Sequence, residues 1–416
     1  MKPKKFVGFG FGPIQSGLML YEAIASGSFD SYVVAEVDQG LVERVRRNGD
    51  SVAINIARSG GIDRAVLADI RILNPLVPDE RDEIARAVSV ADEIATAVPS
   101  VNLYTAGGQG SVASLVAHNV NPEKEQIIYA AENNNFAAQI LKDSLLGLVD
   151  REKLAGLQIL NTVIGKMSGV IQDRGEMEEL ELAPMTPDSD RAVLVEEFNR
   201  IMVSRCRLTD GERGIPVFEE KEDLLPYEEA KLYGHNAIHA VLGYLGWRRG
   251  YRVMSGIRGD KRLMSLGRDA FLLECGAALL KKYADVVHDS LFTEPGWAAY
   301  VDDLLQRMTN PYLHDKVARI CRDPTRKLGY NDRIFGSMRL ALEHGLQPRR
   351  LARGALAGLQ YLVHHARQKS DAVVKEELSV KLIRTNLEAL WAGENEDDYR
   401  EQCLNLVAAA AGEEGQ

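Results

Sequence analysis

A lysine, an asparagine and a histidine lie close together in the middle of the chain, in a stretch that reads KLYGHNAIH. These residues are Lys231, Asn236 and His239. On a helix, at roughly 100° per residue, they fall within about 140° of arc. One wall of the helix would then present an amine, an amide and an imidazole to the same small molecule. A lysine that is partly desolvated there has a lowered pKa and can act as an acid or a base near neutral pH.

The flanking residues favour a helix for this stretch. Pro226, Glu228 and Glu229 are typical of a first helical turn, and an apolar run follows at residues 240–245. Two alternatives stay open on the residues alone. Lysine, asparagine and histidine on one helix face are also common on a solvated surface. His235 lies on the same arc, so spacing does not select between the two histidines.

The pattern Lys-x4-Asn-x2-His, followed by Tyr-Leu-Gly at residues 244–246, resembles the signature of the polyol-specific long-chain dehydrogenases, the mannitol dehydrogenase family. In that family the lysine is the general acid/base, and the asparagine and histidine hold the reacting oxygen. The resemblance implies these catalytic roles for Lys231, Asn236 and His239. No metal is expected, because the histidines show no ligand spacing with cysteine or aspartate and a lysine base replaces a Lewis acid.

Length and charge limit the class of protein. The chain has 416 residues, 45% apolar and 26% charged, which is enough for two domains with separate cores. Its formal net charge is −10 and its isoelectric point is near 5.5. This acidity argues against a nucleic-acid partner, because phosphate backbones require a basic face. An anionic small substrate stays possible, since it needs only a local cationic pocket.

The cysteines and the hydropathy predict a cytoplasmic protein. The four cysteines form no CxxC pair, which excludes a disulfide framework or zinc knuckle and favours reduced side chains. They are Cys206, Cys275, Cys321 and Cys403. No signal peptide is evident, and no segment approaches the about 20 apolar residues of a membrane span. We expect no membrane partner, and a monomer or weak homo-oligomer.

The N-terminus has the strand–turn–helix pattern of a dinucleotide-binding loop. A short apolar strand from Phe6 runs into glycines that permit a tight turn, and the following helix offers N–H donors to a pyrophosphate. Gln15 stands where the third glycine of the usual pattern is found, and Gly17 would permit close packing of the helix on a strand. A purely structural turn is the alternative. The predicted cofactor contacts are Gly10, Gly12, Pro13 and Ile14.

An acidic residue at the end of the next strand predicts which cofactor binds. Glu36 follows the apolar run that begins at Tyr32, and a carboxylate there holds the ribose hydroxyls of NAD and repels the 2′-phosphate of NADP. The competing candidate is Asp38, and the alternative for Glu36 is a solvated strand-end carboxylate. We therefore predict NAD as the cofactor.

Strands and helices then alternate, which predicts a doubly wound parallel sheet. Residues 51–56 and 68–72 read as two strands of a hairpin-like insertion. The strand from Ile94 ends in Thr96, Ala97 and Val98, which resembles the family's loop on the nicotinamide side of the cofactor. We predict that these three residues contact the cofactor.

A buried strand at residues 126–131 is followed by Glu132 and three asparagines. Ligands bind at the ends of such strands in open sheets. The family has an asparagine after an acidic residue here, and the resemblance implies that Asn133 contacts the substrate oxygen. Asparagines in a row also form turns and helix caps. The family's Val-Asp-Arg segment is replaced by TVIGKM at residues 162–167, so an acidic residue is missing and the exact substrate stays open.

From Pro226 onward the apolar residues recur at helical spacing. The fold class predicted is α/β: a Rossmann-type doubly wound sheet at the N-terminus and a mostly α-helical C-terminal domain. We expect residues 1–222 to bind NAD and residues 223–416 to carry the substrate and the catalytic groups.

A basic cluster in the second half indicates the substrate's far end. The run from Asn310 to Leu328 resembles the phosphate-using branch of the family, as does the Asp-Arg pair that ends at Arg333. The family's polyol contacts imply roles for Arg319 and Lys327, and Arg326 is a further candidate. Arginine grips phosphate or vicinal hydroxyls through its planar fork. A solvated helix face is the alternative.

Together these patterns predict an NAD-dependent oxidoreductase that interconverts a sugar-alcohol phosphate and a keto-sugar phosphate. The alternative within this class is a dehydrogenase of a free hexitol or a sugar acid. The alternative from another class is a non-catalytic NAD-binding sensor.

Overall fold

The computed structural model describes residues 3–208, 212–367, 378–394 and 397–414. The chain forms two compact units, Met1–Leu225 and Pro226–Gln416, whereas the sequence placed a domain boundary between residues 222 and 223. Among the described helices, none is both long and apolar enough to span a membrane.

The N-terminal unit holds all the strands described. In chain order they are β1 (Lys4–Phe9), β2 (Phe29–Ala35), β3 (Val52–Ala57), β4 (Ile62–Leu67), β5 (Ile70–Leu73), β6 (Glu93–Thr96), β7 (Gln126–Ala130), β8 (Leu157–Val163), β9 (Ser168–Ile171), β10 (Ala192–Glu196), β11 (Met202–Ser204) and β12 (Glu219–Lys221). The helices of this unit are α1 (Tyr21–Ser26), α2 (Gln39–Arg47), α3 (Pro78–Val90), α4 (Val112–Asn119), α5 (Ala137–Leu146) and α6 (Arg174–Glu179).

The larger sheet has eight strands in the order β12-β11-β8-β7-β6-β1-β2-β5. Six neighbouring strands of this sheet are parallel, namely β8, β7, β6, β1, β2 and β5, and β11 is antiparallel to β8. The chain leaves β1 toward β2 and returns on its other side at β6, so the order reverses beside β1. This topological switch point is where doubly wound sheets bind ligands, at the carboxyl ends of the strands. The predicted doubly wound sheet is confirmed.

Both faces of this sheet are covered, which explains its continuous apolar strands. Phe6 packs in one core with Leu18 of the first helical segment, and Val7 packs in the opposite core with Ile84 of α3. Neighbouring residues of β1 therefore belong to different cores, as the alternation of side chains along a strand requires.

A second sheet has the order β4-β3-β10-β9. β3 pairs with β4 in antiparallel register, whereas β5 joins the larger sheet beside β2. The predicted hairpin of residues 51–56 with 68–72 is therefore wrong in its second strand. Gly17 allows the first helix to approach this sheet, because a Cβ there would lie 2.4 Å from Val195 Cγ1.

The C-terminal unit is helical, as predicted. Its helices are α7 (Leu225–Glu229), α8 (Ala237–Arg248), α9 (Lys261–Ala270), α10 (Ala277–Tyr283), α11 (Glu294–Met308), α12 (Val317–Cys321), α13 (Pro324–Lys327), α14 (Arg333–Glu343), α15 (Arg349–Arg367), α16 (Val380–Leu390) and α17 (Arg400–Glu414). Two π-helical turns, Ala230–Asn236 and Phe271–Gly276, join α7 to α8 and α9 to α10.

The π-helical turn at Ala230–Asn236 departs from the regular α-helix used to place the lysine, asparagine and histidine on one arc. Gly234 lies in this turn, and a Cβ there would stand 2.8 Å from Phe271 Cε2. The two π-helical turns therefore pack closely where a larger side chain would clash. Such turns inside α-helices occur frequently at functional sites.

Candidate active site

Lys231 lies in the first π-helical turn of the C-terminal unit and is half-buried. Its pKa is lowered to about 8, mainly by burial and then by the charge of Arg333, while Glu228 acts in the opposite direction. An amine with this pKa exists in both protonation states near neutral pH. It can therefore accept or donate a proton, as a general acid/base must.

The other two residues of the predicted trio follow on the same helical stretch. Asn236 ends the π-helical turn and is half-buried. His239 lies in the first turn of α8, and its Nε2 is 3.1 Å from Oδ2 of Asp315. The competing His235 is buried, and its pKa lies well below the usual value because of burial and then the nearby charge of His239. His235 is therefore neutral at physiological pH.

Asp315 is a functional candidate that the sequence analysis did not single out. Its side chain is 1% exposed, and Arg319 binds its Oδ1 through Nε at 2.8 Å and Nη2 at 2.7 Å. Burial raises the pKa of Asp315, but His239 and Arg319 outweigh burial and the net pKa is lowered. A carboxylate thus stands between His239 and Arg319. The four-residue spacing of Asp315 and Arg319 could have indicated their ion pair from the sequence. No sequence pattern linked Asp315 to His239.

The three predicted substrate contacts lie in different surroundings. Arg319 uses part of its guanidinium on Asp315. Arg326 is exposed, 3.9 Å from Asp323 and 3.5 Å from Asp332. Lys327 is buried and donates through Nζ to the Ile320 carbonyl. Arg319 and Lys327 therefore carry half-buried or buried positive charges, whereas the charge of Arg326 lies on the surface.

Lys327 shares an electrostatic neighbour with Lys231. The pKa of Lys327 is lowered to about 8, mainly by burial and then by the charge of Arg333. Arg333 begins α14, and its Nε lies 2.7 Å from Asp332 Oδ1. Buried positive charge is therefore concentrated around Arg333. Its position in the Asp-Arg pair was noted in the sequence, but it was not among the predicted site residues.

α14 is fixed against the π-helical turn of Lys231 by Tyr233. A Cβ at Gly336 would stand 2.5 Å from Tyr233 Cε1, and Ser337 Oγ donates to the Tyr233 carbonyl at 2.7 Å. These contacts lie one turn along α14 from Arg333. They explain why its charge acts on Lys231.

In the N-terminal unit, Gly10 makes the turn at the end of β1. Its φ is +81°, and a Cβ there would lie 2.8 Å from the Ala97 carbonyl oxygen, so glycine is required twice over. A Cβ at Gly12 would meet nothing within 4 Å. The protein itself does not exclude a side chain at Gly12, which fits a position kept open for a ligand.

Pro13 and Ile14 begin the first helix, which continues through a π-helical turn at Gln15–Leu20. The side chain of Gln15 is fully buried, and its Nε2 would lie 2.1 Å from a Cβ at Gly8. Gly8 therefore makes room for the residue that replaces the third glycine of the usual pattern.

Glu36 connects the glycine turn to the end of β2. Its Oε2 accepts from the Phe11 N–H at 2.8 Å and its Oε1 from the Asp38 N–H at 2.8 Å. Asp38 itself caps α2 by accepting from the Leu41 N–H, and it lies 3.2 Å from Arg191 Nη2. Asp38 is thus occupied by the fold, and Glu36 is held beside the glycine turn.

The predicted nicotinamide-side loop adjoins the same turn. The Ala97 N–H donates to the Phe9 carbonyl at 2.9 Å, Thr96 is buried, and the Val98 N–H donates to Glu132 at 2.9 Å. Asn133 is the next residue after Glu132 and is exposed. Asn133 and the predicted cofactor contacts belong to the N-terminal unit, whereas Lys231, Asn236 and His239 belong to the C-terminal unit.

Residues 162–167, which replace the family's Val-Asp-Arg segment, are held in place by hydrogen bonds to residues near the end of β10. Lys166 is largely buried, and its Nζ donates to the Phe198 carbonyl at 2.8 Å. The adjacent Met167 N–H donates to Glu196 at 2.5 Å. The backbone of this segment is therefore tied to the end of the second sheet.

Comparison with known proteins supports the resemblance. Residues 223–395 match the mannitol dehydrogenase C-terminal domain. The mannitol-1-phosphate 5-dehydrogenase of Caldanaerobacter subterraneus subsp. tengcongensis is 28% identical over 361 residues, which are 86% of each chain. The enzyme of the same name from Halalkalibacterium halodurans is 26% identical over 377 residues, or 90% of this chain and 92% of the other.

Solved structures share the fold. The Pseudomonas fluorescens mannitol 2-dehydrogenase, solved as a ternary complex with NAD and D-mannitol, is similar with a TM-score of 0.70 at 14% identity, over 99% of this chain and 91% of the other. A D-sorbitol dehydrogenase in substrate-free form gives a TM-score of 0.74 at 14% identity, over 98% and 92%. Residues 223–395 of this chain thus carry a mannitol dehydrogenase C-terminal domain, and the chain is similar over most of its length to enzymes named mannitol-1-phosphate 5-dehydrogenase.

Proposed function

We propose that this chain is an NAD-dependent dehydrogenase that interconverts a sugar-alcohol phosphate and a keto-sugar phosphate, with Lys231 as the general acid/base. The observation that carries the proposal is an amine with a pKa of about 8 on the same helical stretch as Asn236 and His239. The family and the relatives named mannitol-1-phosphate 5-dehydrogenase support a polyol as the substrate class.

The N-terminal unit is the proposed NAD site. Gly12 leaves open space, Gly10 turns the chain, and Glu36 supplies a carboxylate at the end of β2. This donor set suits the diphosphate and ribose of a dinucleotide, and the acidic residue favours NAD over NADP. A structural neighbour solved with NAD is consistent with this assignment. When bound, NAD supplies the acceptor for the hydride that leaves the carbinol carbon.

The chain's own residues handle the proton. In the oxidation direction, neutral Lys231 accepts the hydroxyl proton on Nζ as the C–O bond becomes a carbonyl, and it leaves the step as an ammonium. In the reduction direction the ammonium returns that proton to the oxygen. Asn236 and His239 are the proposed partners of the oxygen as negative charge develops on it, which is the usual way to stabilise such a charge, and the resemblance implies the same role for Asn133.

The basic residues of the C-terminal unit form the proposed site for the far end of the substrate. Lys327 and Arg319 are candidates from the sequence, and Arg333 is added because its charge acts on both Lys231 and Lys327. A phosphate dianion would relieve this concentration of positive charge. Arg326 is the weakest of the proposed contacts, since it is exposed and lies near two carboxylates.

The second candidate is a dehydrogenase of a free hexitol or a sugar acid, which the likeness to mannitol 2-dehydrogenase and D-sorbitol dehydrogenase favours. The test is an absorbance assay of NADH with mannitol 1-phosphate, mannitol and fructuronate, repeated with NADP in place of NAD. We expect turnover with the phosphorylated polyol and NAD. Turnover of mannitol or fructuronate alone would favour the second candidate. NAD binding without turnover of any of the three would favour a sensor.

A further inference from the structure

Glu132 is a buried carboxylate at the carboxyl end of β7 that no step above uses. It is 5% exposed. Its Oε2 accepts from Thr96 Oγ1 at 2.9 Å and from the Tyr104 hydroxyl, and its Oε1 accepts from the Val98 N–H at 2.9 Å. Three donors from one neighbouring segment therefore converge on a single side chain.

These donors lie at the end of β6 and in the segment that follows it. The segment after β6 also contacts the glycine turn. The Ala97 N–H donates to the Phe9 carbonyl, and the Ala97 carbonyl oxygen lies where a Cβ at Gly10 would clash with it. Glu132 thus ties the end of β7 to a loop that is itself bonded to the end of β1. Both ends lie at the edge of the sheet where doubly wound folds bind ligands.

The Glu132 carboxyl group is buried among three hydrogen-bond partners, one of which is a backbone N–H that can only donate. Burial raises the pKa of Glu132 above its usual value, and the hydrogen bonds from Tyr104, Val98 and Thr96 offset only part of that rise. Burial and the neighbouring Glu132 raise the pKa of Tyr104 far above its ordinary value, so its hydroxyl stays a donor. Charge-assisted hydrogen bonds of this kind are shorter and stronger than neutral ones and restrict the groups they join.

The protein contains a comparable carboxylate at the amino end of the neighbouring strand, β6. Glu93 is the first residue of β6, is 0% exposed, and accepts from the Tyr129 hydroxyl at 2.9 Å and from the Gly214 N–H. It therefore repeats the combination of a tyrosine hydroxyl and a backbone N–H. The difference is its place, since the amino end of a parallel strand lies away from the ligand-binding edge.

We propose that Glu132 is a positioning residue for the cofactor and for Asn133. It holds the loop of Thr96–Val98 against the glycine turn, so that the nicotinamide side of the site is formed before NAD arrives, and it fixes the chain from which Asn133 projects. This inference rests on the proposed NAD-dependent function. A loop that is not held in place would have to be ordered by the cofactor, and that ordering reduces affinity.

The test is the affinity for NADH, measured by fluorescence titration, together with kcat and KM for the polyol. In Glu132→Gln the side chain keeps its size, but its amide NH2 faces donors instead of accepting from them. We expect the Kd for NADH to rise about tenfold. We also expect kcat to fall while KM for the polyol changes less, because Asn133 acts on the developing charge.

Glu93→Gln is the matched control. It removes a buried carboxylate that likewise accepts from a tyrosine hydroxyl and a backbone N–H, so it should lower the melting temperature comparably and leave the Kd for NADH within about twofold of wild type. Thr96→Val and Tyr104→Phe each remove one donor and should raise that Kd by a smaller factor. They keep the test decisive if Glu132→Gln does not fold.

The inference is overturned if Glu132→Gln, or both single-donor variants, bind NADH as wild type does. It is also overturned if Glu93→Gln weakens NADH binding as much as Glu132→Gln, because the effect would then be general destabilisation. Wild-type protein that binds neither NADH nor NAD overturns the proposed function itself, and this inference with it.

Discussion

The two candidate binding regions of this chain hold their charges in opposite ways. In the N-terminal unit, Glu36 and Glu132 are carboxylates whose oxygens each accept hydrogen bonds from the chain. In the C-terminal unit, Lys231 and Lys327 are cations whose pKa values both fall to about 8. In the first region, hydrogen-bond donors of the chain therefore reach both carboxylates, whereas the second region holds amines whose positive charge is disfavoured by burial and by Arg333.

The difference matches the different tasks proposed for the two regions, which are to bind a cofactor in one pose and to transfer a proton. Hydrogen bonds to an ionised acceptor stabilise the fold and define a shape, which suits a region that has only to bind a cofactor in one pose. A desolvated amine beside another cation costs stability, and it gains a proton affinity matched to neutral pH. Replacing Glu36 or Glu132 should thus lower the stability of the protein, whereas replacing Lys231 should raise it.

The largest effect is expected from Lys231→Met. Loss of the proposed acid/base should lower kcat by about 1,000-fold, while the Kd for NADH stays unchanged. The variant should also be more stable than wild type at pH 7, by about 1 kcal/mol, because a disfavoured buried charge is removed. Steady-state kinetics and thermal unfolding measure both effects.

The pH dependence of that stability gain follows from the sign of the shift. The folded-state pKa of Lys231 is about 8 against 10.5 in the unfolded chain, so its charge opposes folding fully below pH 8. The cost declines as the pH rises from 8 to 10.5. The gain in Lys231→Met should decline over the same window, and a constant gain would contradict the origin assigned to it. Lys327→Met is the matched comparison, and it should raise the KM for the polyol phosphate more than it lowers kcat.

Asp315→Asn tests the carboxylate between His239 and Arg319. Removing this buried carboxylate takes an ion-pair partner from both His239 and Arg319 and should destabilise the C-terminal unit by about 1 kcal/mol, because the Arg319 guanidinium is partly exposed. We expect kcat to fall by about 10- to 100-fold as His239 loses its partner, without a change in NADH affinity. The exposed Asp323→Asn serves as the control, with activity and melting temperature near wild type. Full activity in Asp315→Asn would show that His239 is positioned by other groups.

Glu36→Gln tests the cofactor region. The amide keeps one acceptor for the Phe11 or Asp38 N–H, but it loses the charge that repels a 2′-phosphate. We expect NAD to bind about tenfold more weakly and the preference for NAD over NADP to narrow. Isothermal titration with both cofactors measures the ratio. If Glu36→Gln leaves the ratio of the NAD and NADP affinities unchanged, another residue discriminates between the two cofactors. Asp38→Asn is the matched control and should leave this ratio unchanged.

The smallest effect is expected from Arg333→Met. Removing this charge should raise the pKa of Lys231, and the pH profile of kcat should move upward by a fraction of a unit. If Arg333 also contacts the phosphate, KM should rise for mannitol 1-phosphate and not for a free polyol. Equal changes in KM for both substrates would remove Arg333 from the proposed phosphate site.

The sequence predicted the fold where its patterns are local. Apolar strands, the glycine turn and the helical second half were recognised because their periodicity and turn residues stand next to each other in the chain. The pairing of β3 was missed because register depends on partners distant in sequence. The π-helical turn of Lys231 was also missed, since it depends on the packing of Gly234 against Phe271 and has no periodicity of its own.

The candidate site divides along the same line. Lys231, Asn236 and His239 were singled out by their spacing together with the resemblance to the mannitol dehydrogenase family, and the same resemblance selected Asn133 after a strand. Asp315, Arg333 and the role of Glu132 required coordinates, because each acts through a contact with a segment remote in sequence. Long-range electrostatics and buried hydrogen bonds leave little trace in a single sequence.

The pH profile of kcat tests the central claim, that Lys231 is the acid/base, most directly. For polyol oxidation the neutral amine is required, so kcat should be low in acid, rise through a pKa of about 8 and reach a plateau above it. In the reverse direction kcat should fall through the same pKa. In Lys231→Ala this ionisation should vanish, and added small amines should restore part of the activity. A wild-type profile retained by Lys231→Ala would contradict the account.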